Sequence, residues 1–265
     1  MKFAAKSVKS RLVKFLVVVF FQTGLFAQTG TLVVLNKTDN TASLIDCETK
    51  TTHATILTGV GPHEVSVSPD GNLAVVSNYG VRQKPGNSLT VIDIRNRNKL
   101  KDIDLGEYSS PHGLAFFSDG KRVAVTVERS KMLLVVNIES GRVEQAISTD
   151  QEISHMVALT PDNNRAFVAN IGSGSVTVID LKSGSRVTSV KTGDGAEGID
   201  ISPDGKEVWV TNRAANSVAV IQAQNLSVSA MLVSKDFPIR TKFTPDGAYA
   251  LVSNARSGEV ASFEV

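Results

Sequence analysis

A single cysteine, Cys47, among 265 residues leaves no internal disulfide to hold the fold together. Beyond residue 27 no stretch sustains the 3.6-residue hydrophobic period, so the sequence predicts very little helix. The apolar run from Phe15 to Phe21 is far short of the ~20 residues needed to cross a bilayer. There is no Gly-x-Ser-x-Gly elbow, Cys-x-x-Cys pair, His-Glu-x-x-His, phosphate loop or EF-hand pattern. Those absences remove the familiar nucleophile and metal motifs, while leaving room for enzymes whose residues come from scattered loops. With 42% hydrophobic and 20% charged residues, the composition excludes disordered, collagen-like and disulfide-scaffold chains.

What charge imbalance there is lies at the N-terminus. Lys2, Lys6, Lys9, Arg11 and Lys14 precede the apolar run, and Leu25-Phe26-Ala27 closes the segment before Gln28. This is the pattern of a secretory signal peptide over residues 1–27, cleaved after Ala27, and it predicts a periplasmic or extracellular protein with no membrane attachment once cut. The segment takes five of the 28 basic residues and none of the 26 acidic ones, leaving 23 against 26, a net charge of −3. Such a balance argues against nucleic acid as a partner.

The remaining chain, 28–265, repeats. Ser68-Pro69-Asp70-Gly71, Ser118-Asp119-Gly120, Pro161-Asp162-Asn163, Ser202-Pro203-Asp204-Gly205 and Thr244-Pro245-Asp246-Gly247 place their aspartates 49, 43, 42 and 42 residues apart. A period near 42 fits a four-stranded propeller blade. Each unit has an alternating strand a before the turn and an apolar strand b ending at Asn78, Val127, Asn170, Asn212 or Asn254. Strand c carries Val91-Ile92-Asp93 or its equivalent, and a more polar strand d follows. Repeats begin near 61, 111, 154 and 196, flanked by partial blades at 30–59 and 238–265. The first unit carries five extra residues within Gly80–Asn87, read as an insertion in the b to c loop. Cys47 holds the register of Ile94, Ile138, Leu181, Ala223 and Val265, which predicts a buried apolar thiol.

Val75-Val76-Ser77-Asn78, Phe167-Val168-Ala169-Asn170, Trp209-Val210-Thr211-Asn212 and Leu251-Val252-Ser253-Asn254, with the Ser-Pro-Asp-Gly and Val-Ile-Asp motifs, resemble YVTN-type β-propeller repeats. Such repeats occur in exported bacterial proteins described as YncE-like and in archaeal surface-layer proteins. The resemblance covers essentially everything after residue 30 and implies a seven-bladed propeller, generally without a known reaction. The strand inventory differs from that implication. Three strands, four units of four and three more make 22, about five and a half blades. The first blade lacks a and the last lacks d, so the sequence reads as a truncated, unclosed ring of antiparallel blades.

Strand order puts the start of each a and every b to c loop on one face, the top. Seven residues before each turn aspartate stand His63, His112, His155, Glu197 and Ile239. A shared structural role accounts for them if each caps the start of strand a by bonding a neighbouring loop. Alternatively, three imidazoles and a carboxylate converge and bind a transition metal through His63, His112 and His155, or contact an organic anion or peptide. No cofactor is expected under the first account. Tyr79, Glu128, Arg129, Arg213 and Arg256 follow strand b on the same face, and Arg82 and Arg240 add to it. Arginine forks suit carboxylates and phosphates, although a mutually paired loop surface is the simpler account. Asp200 and Lys242 share one inner-strand position in adjacent blades, which predicts an inter-blade ion pair. The turn aspartates and strand-b asparagines are expected to shape their own turns.

Two functional expectations follow. The first is an exported binding or scaffold propeller, monomeric if its ring is complete, that recognises a small ligand, peptide or protein through the top face. The second rests on similarity to propeller lactonases, which also carry Pro-His before strand a. It is a lactonase-like hydrolase using a His, Glu and Arg cluster at the channel mouth, with no catalytic residue that can be carried over individually.

Overall fold

Three repeats turn on the same local chemistry. In Ser68-Pro69-Asp70-Gly71 the Ser68 hydroxyl donates to Asp70, whose carboxylate accepts the Asn72 amide, while Gly71 takes φ +74°. The same bonds recur at Ser202–Asp204 and Thr244–Asp246, so each Pro-Asp-Gly segment is a tight reversal between two strands. A computed structural model describes residues 29–265, and the proposed signal peptide lies outside them.

The described residues form 22 strands in six antiparallel sheets and no helix. Blade 1 holds β1 (Thr31–Asn36), β2 (Thr41–Asp46) and β3 (Thr52–Leu57), and blade 2 holds β4 (Pro62–Val67), β5 (Leu73–Val81), β6 (Lys84–Asp93) and β7 (Asn98–Asp104). Blade 3 comprises β8 (Pro111–Phe116), β9 (Arg122–Val127), β10 (Met132–Asn137) and β11 (Val143–Ser148). Blade 4 comprises β12 (Ser154–Leu159), β13 (Arg165–Asn170), β14 (Ser175–Asp180) and β15 (Ser185–Lys191). Blade 5 comprises β16 (Ala196–Ile201), β17 (Glu207–Asn212), β18 (Ser217–Gln222) and β19 (Val228–Val233). Blade 6 ends the series with β20 (Pro238–Phe243), β21 (Tyr249–Asn254) and β22 (Glu259–Glu264). Strands β4, β8, β12, β16 and β20 line the axis, each against the next.

Alternation along strand b divides its side chains between two seams. Ala74 and Val76 face blade 1 with Ala42 and Leu44, whereas Val75 faces blade 3 with Val125 and Leu134. Three further clusters join blades 3 to 4, 4 to 5 and 5 to 6, the last around Trp209 and Val252. Six blades joined by five seams make an open arc. At its ends the seam-facing Leu32 (53% exposed) and Leu251 (40% exposed) meet no further blade among the described residues.

Two local expectations need correction, and a third is extended. The five extra residues of blade 2 do not form a loop. They lengthen β5 and β6 into a hairpin with Gly80 opposite Pro85 and Val81 opposite Lys84. Gly80 allows this at φ +87°, where a Cβ would lie 2.0 Å from the Gly86 nitrogen. Cys47 is half-buried, because its position packs against the preceding blade and blade 1 has none among the described residues. The strand-b asparagines bond across their own b to c turns, Asn170 to Ser175 and Asn212 to Ser217, and also reach further along strand c, Asn78 to Thr90 and Asn170 to Thr177. Asp200 behaves as expected, taking Lys242 Nζ at 3.0 Å and the Phe243 amide at 2.9 Å.

Candidate functional site at the channel mouth

At the start of each inner strand the chain turns sharply through one left-handed residue: Gly61, Ser110, Ile153, Gly195 and Phe237 all have φ between +56° and +76°. A β-branched Ile or a bulky Phe is rarely found there. The turn sends the side chain two positions on, at His63, His112, His155, Glu197 or Ile239, toward the channel mouth.

Glycine sets how closely these side chains meet. Gly113, next to His112, faces β12 so tightly that a Cβ would lie 2.5 Å from the His155 carbonyl oxygen. Thr126 fixes the approach, receiving the Gly113 amide at 2.8 Å and donating to His155 O. The rings of His112 and His155 consequently stand 3.7 Å apart between centroids, and those of His63 and His112 4.3 Å. Tyr79 closes the group at 5.5 Å, edge-on to His112. Gly198 repeats the device in blade 5, where a Cβ would meet the Ile239 carbonyl oxygen at 2.6 Å.

Carboxylates and arginines surround the rings. Glu128 accepts from the Tyr79 hydroxyl and pairs with His155 Nδ1 at 2.5 Å. His155 Nε2 lies 3.6 Å from Glu197, which also holds Arg213 at 2.7 Å and Arg240 at 3.4 Å. Arg240 continues to Glu64, beside His63. Burial works against charge on His155, yet its bonds to Glu128 and Glu197 outweigh that penalty and raise its pKa. Burial likewise opposes ionisation of Glu197, but His155 and Arg213 hold its carboxyl below the usual range. Burial and the bond to Glu128 push the Tyr79 hydroxyl up to about 12.

His112 stands apart from this network. It is 1% exposed, and neither ring nitrogen has a hydrogen-bond partner among the described residues. Burial, with His155 and His63 adding to it, pushes its pKa far down, so the ring is neutral. A loop cap therefore describes His155, which bonds Glu128 of the neighbouring blade, and does not describe His112.

The structure thus gathers His63, His112, His155, Tyr79, Glu128, Glu197, Arg213 and Arg240 at the mouth. Arg82 is exposed at the hairpin tip, Arg129 is exposed, and Arg256 lies over the Phe237 ring at 4.1 Å, outside the cluster. Glu64 is the member that sequence reasoning missed. Its signal is the position six before the turn aspartate, which reads Glu64, Gly113, Met156, Gly198 and Arg240, with opposite charges at its two ends. Ligating atoms of His63, Glu64 and His112 lie within 4.8 Å of one another, as do those of His112, Glu128 and His155.

A cavity of about 720 Å³ lies elsewhere, lined by turn residues of blades 4 and 5 including Asp162, Asp180 and Asp204. Those carboxylates already accept amides of their own turns, which makes the cavity a weaker candidate than the mouth.

Comparison with known proteins follows the same outline. Residues 110–261 match the model of the YNCE-like beta-propeller, and residues 28–151 match that of the seven-bladed beta-propeller lactonase. No curated protein matches the sequence. Among solved structures, hydrazine synthase of Kuenenia stuttgartiensis is similar at 17% identity and a TM-score of 0.61, over 89% of this chain and 92% of that one. Two provisionally assigned 6-phosphogluconolactonases are similar with TM-scores of 0.69 over 84% of this chain. The protein from Bacteroides uniformis is 18% identical over 73% of its length, and that from Bacteroides fragilis 20% over 72%. At these identities the likeness concerns the fold.

Proposed function

The chain belongs to the YNCE-like β-propeller family, and from that premise we propose an exported binding protein that takes a ligand into the polar mouth of its channel without turning it over. The ligand is a small molecule, a peptide or an exposed segment of another protein. Export rests on the signal pattern of residues 1–27.

His112 carries the reading. A buried polar group without a partner costs about 1–3 kcal/mol, and a histidine with two orphaned nitrogens at a channel mouth is explained when a ligand supplies the missing partner. His112→Leu tests this. If the imidazole serves a ligand, the apolar replacement is at least as stable as the parent in thermal melts of ligand-free protein, because it removes the orphaned group. A loss of several kcal/mol would make His112 a structural residue and remove the support.

A second reading is lactone hydrolysis. Glu128 fixes His155 Nδ1 and thereby orients the ring as a general base would be oriented. Two features weaken it for a phosphorylated lactone: Arg213 and Arg240 are both engaged by Glu197, and Arg240 also by Glu64. Hydrolysis of 6-phosphogluconolactone or simple sugar lactones, abolished in Glu128→Gln and Glu197→Gln, would place it above the binding reading.

A further inference from the structure

The mouth contains three carboxylates, and they are not equally served. Glu64 has Arg240, and Glu197 has Arg213 and Arg240. Glu128 is 11% exposed at its side chain and has no lysine or arginine within ion-pair distance among the described residues. Its partners are the Tyr79 hydroxyl and His155 Nδ1. Beside it stands His112, an imidazole whose nitrogens have no hydrogen-bond partner among the described residues. A carboxylate with no lysine or arginine beside it, between two imidazoles and largely buried, is a donor set for a borderline first-row dication.

We propose that the mouth binds one zinc(II)-class ion through His112, His155 and Glu128. This rests on the reading of the mouth as a binding site and names what it binds. The three ligating atoms already lie within 4.8 Å of one another. Zinc bonds of 2.0–2.2 Å in a tetrahedral arrangement need separations of about 3.4 Å, so the three atoms must draw together by at most about 1.4 Å. The ion takes the place of the direct His155–Glu128 hydrogen bond. The outer contacts that a metal site requires are present: Glu197 faces the other nitrogen of His155 and is itself held by Arg213 and Arg240, and the Tyr79 hydroxyl holds the second oxygen of Glu128. Three protein ligands leave a fourth position of a tetrahedral ion to be filled. That position is where an organic or peptide ligand would meet the ion. The paired arginines argue against an anion alone as the occupant.

The test is zinc(II) titration of chelator-stripped protein by calorimetry, with metal content measured after gel filtration. We expect one equivalent per chain, weakened by at least about 100-fold in His112→Leu and in Glu128→Gln and unchanged in His53→Ala on the outer strand β3. If either mouth variant fails to fold, copper(II)-loaded parent protein still decides the matter, because its electron paramagnetic spectrum should show coupling to two imidazole nitrogens. No uptake, uptake undiminished in both mouth variants, or coupling to fewer than two nitrogens would overturn the proposal. Absent zinc binding together with a stable His112→Leu would overturn the metal and leave the binding reading standing. A strongly destabilised His112→Leu in protein whose zinc site matches expectation would keep the metal and remove only the argument that His112 is left unpaired for an organic ligand.

Discussion

Arg240 of blade 6 donates to Glu64 of blade 2, 176 residues away, and this hydrogen bond links the first and last inner strands of the arc. Each belongs to an inner strand that has a neighbouring inner strand on one side only. The guanidinium also reaches Glu197, so one side chain ties blades 2, 5 and 6 together over the mouth. Arg240→Ala should therefore loosen more than one contact. A double-mutant cycle of Arg240→Ala and Glu64→Ala is expected to give a coupling of about 0.5–1 kcal/mol, since the Arg240 side chain is 34% exposed and solvent screens the pair. Thermal melts at low salt measure it, and the coupling should shrink by 0.5 M salt.

The turn aspartates predict a specific acid profile. Asp204 has its pKa lowered to about 2 by Lys206, then Ser202, and Asp70, Asp162 and Asp246 are lowered by their Ser or Thr partners and turn amides. A depressed folded pKa gives stability that is present above the unfolded value of about 3.9 and is lost as pH falls through the folded one. Melting temperature should accordingly be insensitive to these groups above about pH 5 and fall between about pH 4 and 2. Asp204→Asn should flatten that fall, and a slope that begins near neutrality would assign acid sensitivity to other groups.

How much of this was legible in the sequence depended on whether the signal repeats. Blade boundaries, the two faces and the ring position of His63, His112, His155 and Glu197 follow from a period of 42, because each unit restates the others. Contacts made once do not repeat. Glu64 meets Arg240 only because the arc curves five blades round, and a one-dimensional pattern holds no such distance. Cys47 shares the register of buried residues, yet a seam requires two blades and its own has one. The orphaned state of His112 was equally hidden: three histidines look alike in sequence, and only the position of Glu128 separates the bonded ring from the unbonded one.

Ile153 sits at φ +56° immediately before Ser154-His155, at a place where two other repeats use glycine. A left-handed β-branched residue costs roughly 1–2 kcal/mol, and its side chain is 42% exposed, so little burial offsets the strain. Ile153→Gly releases the strain while adding about 0.4–1 kcal/mol of unfolded-chain entropy. We expect a net gain of up to about 1 kcal/mol, seen as a melting temperature about 2–4 °C higher. An unchanged or lower value would show that the Ile153 side chain contributes packing that its exposure does not reveal.

Gly113→Ala tests whether backbone approach, and not side-chain chemistry alone, assembles the mouth. The added methyl would meet the His155 carbonyl oxygen at 2.5 Å and the Met156 Cα at 2.7 Å, both backbone atoms of β12 that cannot rotate away. Blades 3 and 4 must then separate at their inner edge, stretching the Thr126 bridge to His155 O and parting the closely set rings of His112 and His155. Overpacking of this kind costs about 1–3 kcal/mol, against which the smaller entropy of an alanine in the unfolded chain returns less than 1. A melting temperature lower by several degrees, with faster amide exchange confined to β8, β9 and β12, is the expected result. Since Gly113 touches no ligand itself, any loss of zinc affinity in this variant would come from the spacing between the two imidazoles, and a variant that melts normally would mean the inner strands can separate without cost.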